Sequence, residues 1–179
     1  GAVRDVDEVL PYGGKPQPIS AWEKDMSLRE GIRVSNVPVF QELARRIGRE
    51  RMAEKVKAFD YGNQEIGTVV DRFWLDGPLT ISAIEQTEFL ARLVQRKLPV
   101  AEKHVAAVEE ITLFESSGTQ RIHAKTGWEP PVGWWVGWVR RGDALSTFAL
   151  NIDLVEMKNA PKRIAVGKTC LRVLGKLAK

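Results

Sequence analysis

Four stretches in the first two thirds of the chain carry apolar residues at helical spacing. They lie at residues 38–47, 49–59, 82–96 and 101–111. Gly48 is placed to end the first helix, and Ser82 with Glu85 three positions later forms a capping-box pattern that starts the third. Residues 1–26, in contrast, are rich in proline and glycine and predict loops and turns.

After Gly118 the helical spacing gives way to strand-like patterns. Alternating or Val- and Trp-rich stretches predict strands, and the sequence Arg-Gly-Asp at 141–143 predicts a hairpin turn. These strands are predicted at 121–125, 133–140 and 146–153. A final helix is predicted within 161–178. The order of helices, antiparallel meander and helix predicts an α+β fold in which helices pack on a sheet.

Composition narrows the class of protein. A chain of 179 residues is long enough for one domain, and 44% hydrophobic with 28% charged residues is typical of a globular chain. No apolar run has the length of a membrane span, and the N-terminus lacks the apolar stretch of a secretory signal. The net charge is +4 with scattered basic residues, which argues against nucleic acid as a partner. The single Cys170 excludes an internal disulfide and a thiolate zinc cluster, and no metal site is expected.

The motif with the clearest chemistry is Lys125-Thr126-Gly127, which is predicted to lie at the end of a strand, just before a turn. A cation and a hydroxyl at such a place can bind a carboxylate or move a proton. A glycine beside them lets a ligand approach the strand edge closely. Taken alone, the three residues are better explained as a surface Lys-Thr followed by a turn glycine.

Four further motifs each have a structural explanation of their own. Ser35-Asn36-Val37 fits a helix N-cap formed by Ser35, and the Tyr-Gly-Asn sequence at 61–63 fits the end of a helix. The sequence Phe-Trp-Leu-Asp-Gly at 73–77 fits an aromatic loop anchor. The Gly- and Trp-rich stretch 133–139 fits a buried strand whose glycines admit close packing.

In this order and at these separations, the five motifs resemble the class D serine β-lactamases, or oxacillinases. The resemblance covers nearly the whole chain and is weakest at 101–121 and 154–179. It implies an α+β fold of the serine β-lactamase and penicillin-binding-protein type, an antiparallel sheet with flanking helices and a helical region. The expected organisation is one domain over 1–179, N-terminally incomplete, with a mostly helical region at 27–111 and antiparallel strands plus a C-terminal helix at 119–179.

The resemblance implies a hydrolase that opens the β-lactam ring by acyl transfer to a serine, followed by hydrolysis of the acyl-enzyme. The base in this family is a lysine carboxylated by CO₂, three residues after that serine. Ser35 would relay the proton to the leaving nitrogen, and Lys125 would bias this transfer and help hold the substrate carboxylate. Trp74 would hold the carbamate through its indole N–H. The backbone N–H of Trp128 would supply half of the oxyanion hole.

Five more residues take substrate-binding or lining roles by the same resemblance. Thr126 and Gly127 would contact the substrate on the strand. Arg163 matches the family's carboxylate-binding arginine, although Lys162 stands beside it. Val37 and Leu75 would form apolar walls that keep the carbamate dry.

The chain departs from the family at its central motif, Ser-x-x-Lys. None of its serines, at positions 20, 27, 35, 82, 116, 117 and 146, has a lysine three residues later. The nucleophile and the carboxylated lysine are therefore expected upstream of residue 1, and no cofactor is expected on this chain itself. We expect that the chain alone does not hydrolyse β-lactams.

The expected partners are penicillins and oxacillin-like β-lactams, in a periplasmic protein that confers antibiotic resistance. The missing N-terminal segment is expected as a separate piece, and a homodimer stays open. Two alternatives remain: an inactive fragment, or a non-catalytic penicillin-binding sensor module. A basic binding protein for anionic partners accounts for the charge but not for five ordered motifs.

Overall fold

The computed structural model describes residues 1–178, which form two compact units. The first contains Gly1–Ile81 and Ala106–Ile111, and the second contains Ser82–Val105 and the chain from Thr112 onward. Helices and one four-stranded antiparallel sheet make up the architecture, which confirms the α+β class. No helix among residues 1–178 has both the length and the apolar character needed to cross a membrane.

The first unit is mainly helical. Its elements are β1 (Val9–Leu10), β2 (Met26–Ser27), α1 (Leu28–Val34), α2 (Val37–Ile47) and α3 (Arg49–Ala58). The predicted helices at 38–47 and 49–59 are confirmed as α2 and α3. The sequence did not predict the short antiparallel pair β1–β2 or the seven-residue helix α1.

A fully buried asparagine starts α2. Asn36 accepts a hydrogen bond from the backbone N–H of Val39 at 3.1 Å, and its side-chain amide donates to the backbone oxygen of Trp22 at 3.3 Å. The interpretation of Ser35 as the N-cap of this helix is therefore wrong. Ser35 instead ends α1 in the left-handed conformation (φ 54°, ψ 46°), whereas a capping residue is normally extended.

The second unit is built on the sheet. Its elements are α4 (Ala83–Val94), β3 (Leu113–Ser117), β4 (Gln120–Glu129), β5 (Val132–Arg141), β6 (Ala144–Asp153) and α6 (Lys162–Val173), while α5 (Glu102–Ile111) has residues in both units. The strand order is β3-β4-β5-β6, each antiparallel to the next. Helices α4 and α6 pack against β5 and β6.

Most predicted elements of this unit are confirmed, with shifted ends. The capping box of Ser82 and Glu85 starts α4, and Gly142 (φ 57°) allows the tight turn between β5 and β6. The three predicted strands are each longer than expected, and β3 was not predicted. The final helix ends at Val173, not near residue 178.

The core of this unit lies between one face of the sheet and α6. It combines Ile122, Ala124, Trp135, Val139, Leu171 and Leu177. Gly167 permits the close approach of α6, because a Cβ there would lie 2.2 Å from Cε3 of Trp135. Since side chains alternate along a strand, Lys125 and Gly127 face the opposite side of the sheet from Ile122 and Ala124.

Candidate active site

The Lys-Thr-Gly motif lies inside β4. Residues 125–127 pair with residues 134–136 of β5, and β4 continues to Glu129 before the turn at Pro130–Pro131. The expectation that the motif ends its strand is therefore wrong. Pairing with β5 on one side holds the motif rigidly in an extended conformation. A ligand could reach the motif only from the opposite edge of β4.

That other side of β4 is open at the motif. Strand β3 pairs only with residues 120–123, and the N–H of Ala124 makes the next bond, to the oxygen of Thr112 at 3.0 Å. Backbone groups of an antiparallel strand point alternately to its two neighbours, so the N–H groups of Thr126 and Trp128 point the same way, past the end of β3. Within residues 1–178, β4 thus has an uncovered edge there, suited to a backbone-bound ligand.

Lys125 sits in a partly buried environment with polar contacts to its neighbour. Its Nζ donates to the backbone oxygen of Thr126 at 2.8 Å and lies 3.4 Å from the Thr126 hydroxyl. Burial, and secondarily the positive charge of Arg163, lowers the pKa of Lys125 to about 8. A lysine with a pKa near neutrality can both bind an anion and exchange a proton.

Arg163 brings a second cation to the motif from the start of α6. Its Nη1 donates to the backbone oxygen of Gly127 at 3.1 Å, and its buried Nε has no hydrogen-bond partner among residues 1–178. No carboxylate of that part of the chain pairs with it. Lys162, by contrast, is exposed. Of the two adjacent basic residues, Arg163 is the one that reaches β4.

Trp128 and Gly127 are held by neighbouring strands and loops. The indole N–H of Trp128 donates to the oxygen of Leu154 at 2.8 Å, which fixes the end of β4. A Cβ at position 127 would lie 3.3 Å from Cβ of Trp134, so the cross-strand neighbour already restricts this position. An alanine at position 127 would therefore require a small shift of the Trp134 side chain.

Strand β5, which is rich in glycine and tryptophan, contributes side chains to the core of the unit. Trp135 and Trp138 are buried, and a Cβ at Gly133 would lie 2.6 Å from Leu154. This supports the structural explanation of the motif, a buried strand whose glycines admit close packing. Neither buried indole N–H has a hydrogen-bond partner within residues 1–178.

The other predicted site residues lie in the first unit. Ser35 and Val37 flank Asn36 at the joint between α1 and α2 and are both partly buried. Trp74 and Leu75 lie in a series of turns at 70–76 and are also partly buried. Each pair thus occupies one short segment, and the roles assigned to these residues stay predictions.

Asn63 closes the loop that carries Trp74. Its side-chain amide donates to the oxygen of Pro78 at 2.8 Å, and its side-chain oxygen accepts from the N–H of Thr80 at 3.1 Å. Phe73 is buried against α3 and contacts the Trp74 ring edge-on, with centroids 5.0 Å apart. The loop therefore has a fixed base and a buried anchor.

Two residues of α2 contact this loop but are not among the predicted site residues. Gln41 and Arg45 both bond to Asp71, three residues before Trp74. The available signal was weak: the two side chains are four positions apart, so they share a helix face. Their partner could not be identified without the tertiary structure.

Comparison with known proteins gives a consistent result. The family model of the penicillin binding protein transpeptidase domain matches residues 2–171. The β-lactamase OXA-48 of Klebsiella pneumoniae is 42% identical over 176 residues, which are 96% of this chain and 66% of that protein. The β-lactamase OXA-10 of Pseudomonas aeruginosa is 39% identical over 173 residues, 93% of this chain and 65% of that protein. The chain thus spans about two thirds of the length of these curated relatives.

Solved structures agree in fold. The class D β-lactamase FUS-1 (OXA-85) of Fusobacterium nucleatum superposes with a TM-score of 0.95 at 40% identity, covering 99% of this chain and 76% of that one. The class D β-lactamase YbXI of Nostoc gives a TM-score of 0.94 at 37% identity, covering 99% and 77%. The predicted serine β-lactamase-type fold is confirmed. From its sequence motifs, its fold and these relatives, the chain belongs to the class D β-lactamases, within the penicillin-binding-protein transpeptidase family.

Proposed function

We propose that this chain supplies the carboxylate-binding and proton-transfer residues of an enzyme that hydrolyses β-lactam antibiotics through an acyl-enzyme and so confers resistance. The proposal includes a periplasmic location and penicillins or oxacillin-like compounds as substrates. The membership of the chain in the class D family supports the reaction class.

The observation that carries the proposal is the pair of cations at the Lys-Thr-Gly motif. Lys125 is cationic below a pKa of about 8, and Arg163 reaches the same strand and has no carboxylate partner among residues 1–178. Two such charges with the adjacent Thr126 hydroxyl favour a bound anion. Penicillins carry a carboxylate, and we assign it to these three side chains.

The open edge of β4 supplies the second element of recognition. The N–H of Trp128 points away from β5, toward space that β3 does not cover. We assign it to the oxyanion that forms when the lactam carbonyl is attacked. Gly127, which has no side chain, leaves room for the substrate along this edge.

We assign two further roles to residues of the first unit: the proton relay and the apolar surroundings of the carbamate base. Ser35 passes the proton to the lactam nitrogen as the C–N bond breaks. Trp74 donates its indole N–H to the carbamate of a lysine that is not in this chain, and Val37 with Leu75 excludes water from it. The acylating serine and this lysine belong, in the proposal, to a segment outside the chain.

Binding of benzylpenicillin and its methyl ester to the 179-residue chain, measured by calorimetry, tests the proposed carboxylate site. The acid should bind at least about tenfold more tightly than the ester, which lacks the charge. Lys125→Met and Arg163→Ala should remove this difference, while Lys158→Ala, an exposed cation on another segment, should not. Affinity for the acid should fall above pH 8, where Lys125 loses its proton. Equal binding of acid and ester would contradict the assignment.

A second experiment separates binding from chemistry. The chain incubated with benzylpenicillin should keep its unmodified intact mass, and a chromogenic cephalosporin should not be turned over, because the chain has no Ser-x-x-Lys. A stable acyl adduct or catalytic turnover would show that another residue acts as nucleophile. In that case the assignment of the nucleophile to a segment outside the chain is wrong.

A further inference from the structure

Two side chains of α2 hold a single residue of the loop that carries Trp74. The Gln41 side-chain amide donates to the backbone oxygen of Asp71 at 3.0 Å, and Nη1 of Arg45 donates to the Asp71 carboxylate at 2.6 Å. Gln41 and Arg45 are four positions apart and so lie on the same face of α2. The backbone and the side chain of Asp71 are thus fixed by the same helix.

The same loop is attached at other points as well, for example by Arg49, whose Nε donates to the backbone oxygen of Gly67 at 2.8 Å. The base of the loop is closed by Asn63, which bonds to Pro78 and Thr80. On the far side of Asp71 only two residues separate it from Trp74, and the segment 70–76 consists of turns without helix or strand. The segment has turn hydrogen bonds of its own, such as that from the N–H of Arg72 to the oxygen of Val69 at 3.2 Å, but no regular ladder, so the attachment to α2 adds to its local order.

The Trp74 side chain packs on the outside of the buried cluster that contains Val56 and Ile66. Its side chain is only partly buried, and its described ring contact is the edge-on one with Phe73, 5.0 Å between centroids. Phe73 itself is buried against Val56 and Ile66. The backbone oxygen of Arg72, the neighbour of Asp71, accepts a hydrogen bond from the N–H of Leu75 at 2.9 Å and so closes the turn that contains Trp74. Movement of Asp71 would therefore change the backbone that orients the indole.

We propose that Gln41 and Arg45 are positioning residues that fix the orientation of the Trp74 indole through Asp71. Helix α2 begins at Val37, one turn before Gln41, so one rigid helix supports both the Ser-x-Val segment and the Trp74 loop. The role of the Trp74 indole as a hydrogen-bond donor to the carbamate rests on the proposed function. The anchoring of the loop does not, because all of its contacts lie within the first unit.

The test compares Gln41→Ala and Arg45→Ala with Arg46→Ala as the matched control. Arg46 neighbours Arg45 on α2 but pairs with Glu8 and Glu42, not with the loop. Amide hydrogen exchange of peptides spanning 70–76 should accelerate by about tenfold in the first two variants and not in the control. Acrylamide quenching of Trp74, taken as the difference from a Trp74→Phe protein in each background, should increase in parallel.

Global stability is measured alongside, by urea unfolding. Exposed ion pairs contribute little to stability, so the midpoints of Arg45→Ala and Arg46→Ala should be nearly equal. If Arg45→Ala weakens protection throughout the unit, Arg45→Lys, which keeps the cation, should restore it and return the Trp74 quenching toward that of the parent chain.

Unchanged exchange and unchanged Trp74 quenching in Gln41→Ala and Arg45→Ala would overturn the proposal, as would equal effects in Arg46→Ala. A failure of the proposed function is recognised separately. It would appear as an absence of carboxylate-dependent β-lactam binding at Lys125 and Arg163, and it would leave the loop measurements unaffected.

Discussion

Replacing Lys125 by methionine is expected to stabilise the chain at neutral pH while abolishing its affinity for carboxylates. Methionine has a similar length and no charge, so it can occupy the same partly buried space. The wild-type ammonium is held there beside the charge of Arg163, which opposes it. If the proposed function is correct, the carboxylate site is a source of instability when no anion is bound.

The magnitude follows from the pKa of Lys125. Burial and Arg163 lower that pKa from 10.5 to about 8. At about 1.4 kcal/mol for each pH unit, the folded state disfavours the ammonium by about 3 kcal/mol. Between pH 8 and 10.5 the unfolded chain binds more protons than the folded one, so wild-type stability rises with pH over this window. The advantage of methionine should therefore be full below pH 8 and decline by about 3 kcal/mol toward pH 10.5.

Urea unfolding followed by far-ultraviolet circular dichroism, repeated from pH 7 to pH 11, measures this difference. The difference in unfolding free energy between variant and wild type cancels the titration of every group that both proteins share. Lys57→Met, at an exposed position of α3, is the control for replacing a surface lysine by methionine. A constant difference for Lys125→Met across the window would refute the view that burial of this ammonium is costly.

Two further substitutions test the packing of the two units. Gly167→Ala should destabilise the second unit by more than about 2 kcal/mol, since its Cβ would lie 2.2 Å from Trp135; a thermal melt with an unchanged midpoint would contradict the close contact. Asn36→Ala should cost about 2–4 kcal/mol, because it removes the cap of α2 and leaves the Val39 N–H buried without its partner; calorimetry should show the loss, and Asn36→Asp should recover part of it.

The elements predicted correctly are those with strong local signals. Helices α2, α3 and α4 have apolar periodicity together with a cap or a glycine stop, and these act over one or two turns of chain. Strand β3 has no such signal, because all of its residues are exposed and none alternates in burial. Strands β1 and β2 have two residues each and exist only by pairing with each other across intervening chain.

The residues of the candidate site could be predicted from the sequence, but their burial, pKa and contacts could not. The motif residues Lys125 and Arg163 were identified by resemblance, while the burial that lowers the pKa of Lys125 depends on the packed sheet. The choice of Arg163 over Lys162 depends on which side chain α6 directs toward β4. The cap was assigned to Ser35, not to Asn36, because Asn and Ser are both favoured at that position and only the backbone conformation distinguishes them.

Ser35 occupies a left-handed backbone conformation at the joint of two helices. Glycine adopts this conformation without the steric cost that a Cβ brings, about 1 kcal/mol. Directed evolution selected on melting temperature alone would therefore favour glycine at this joint and discard the hydroxyl. In any stabilisation of this scaffold, Ser35 has to be held fixed by design, since thermal selection and the proposed chemistry act on it in opposite directions.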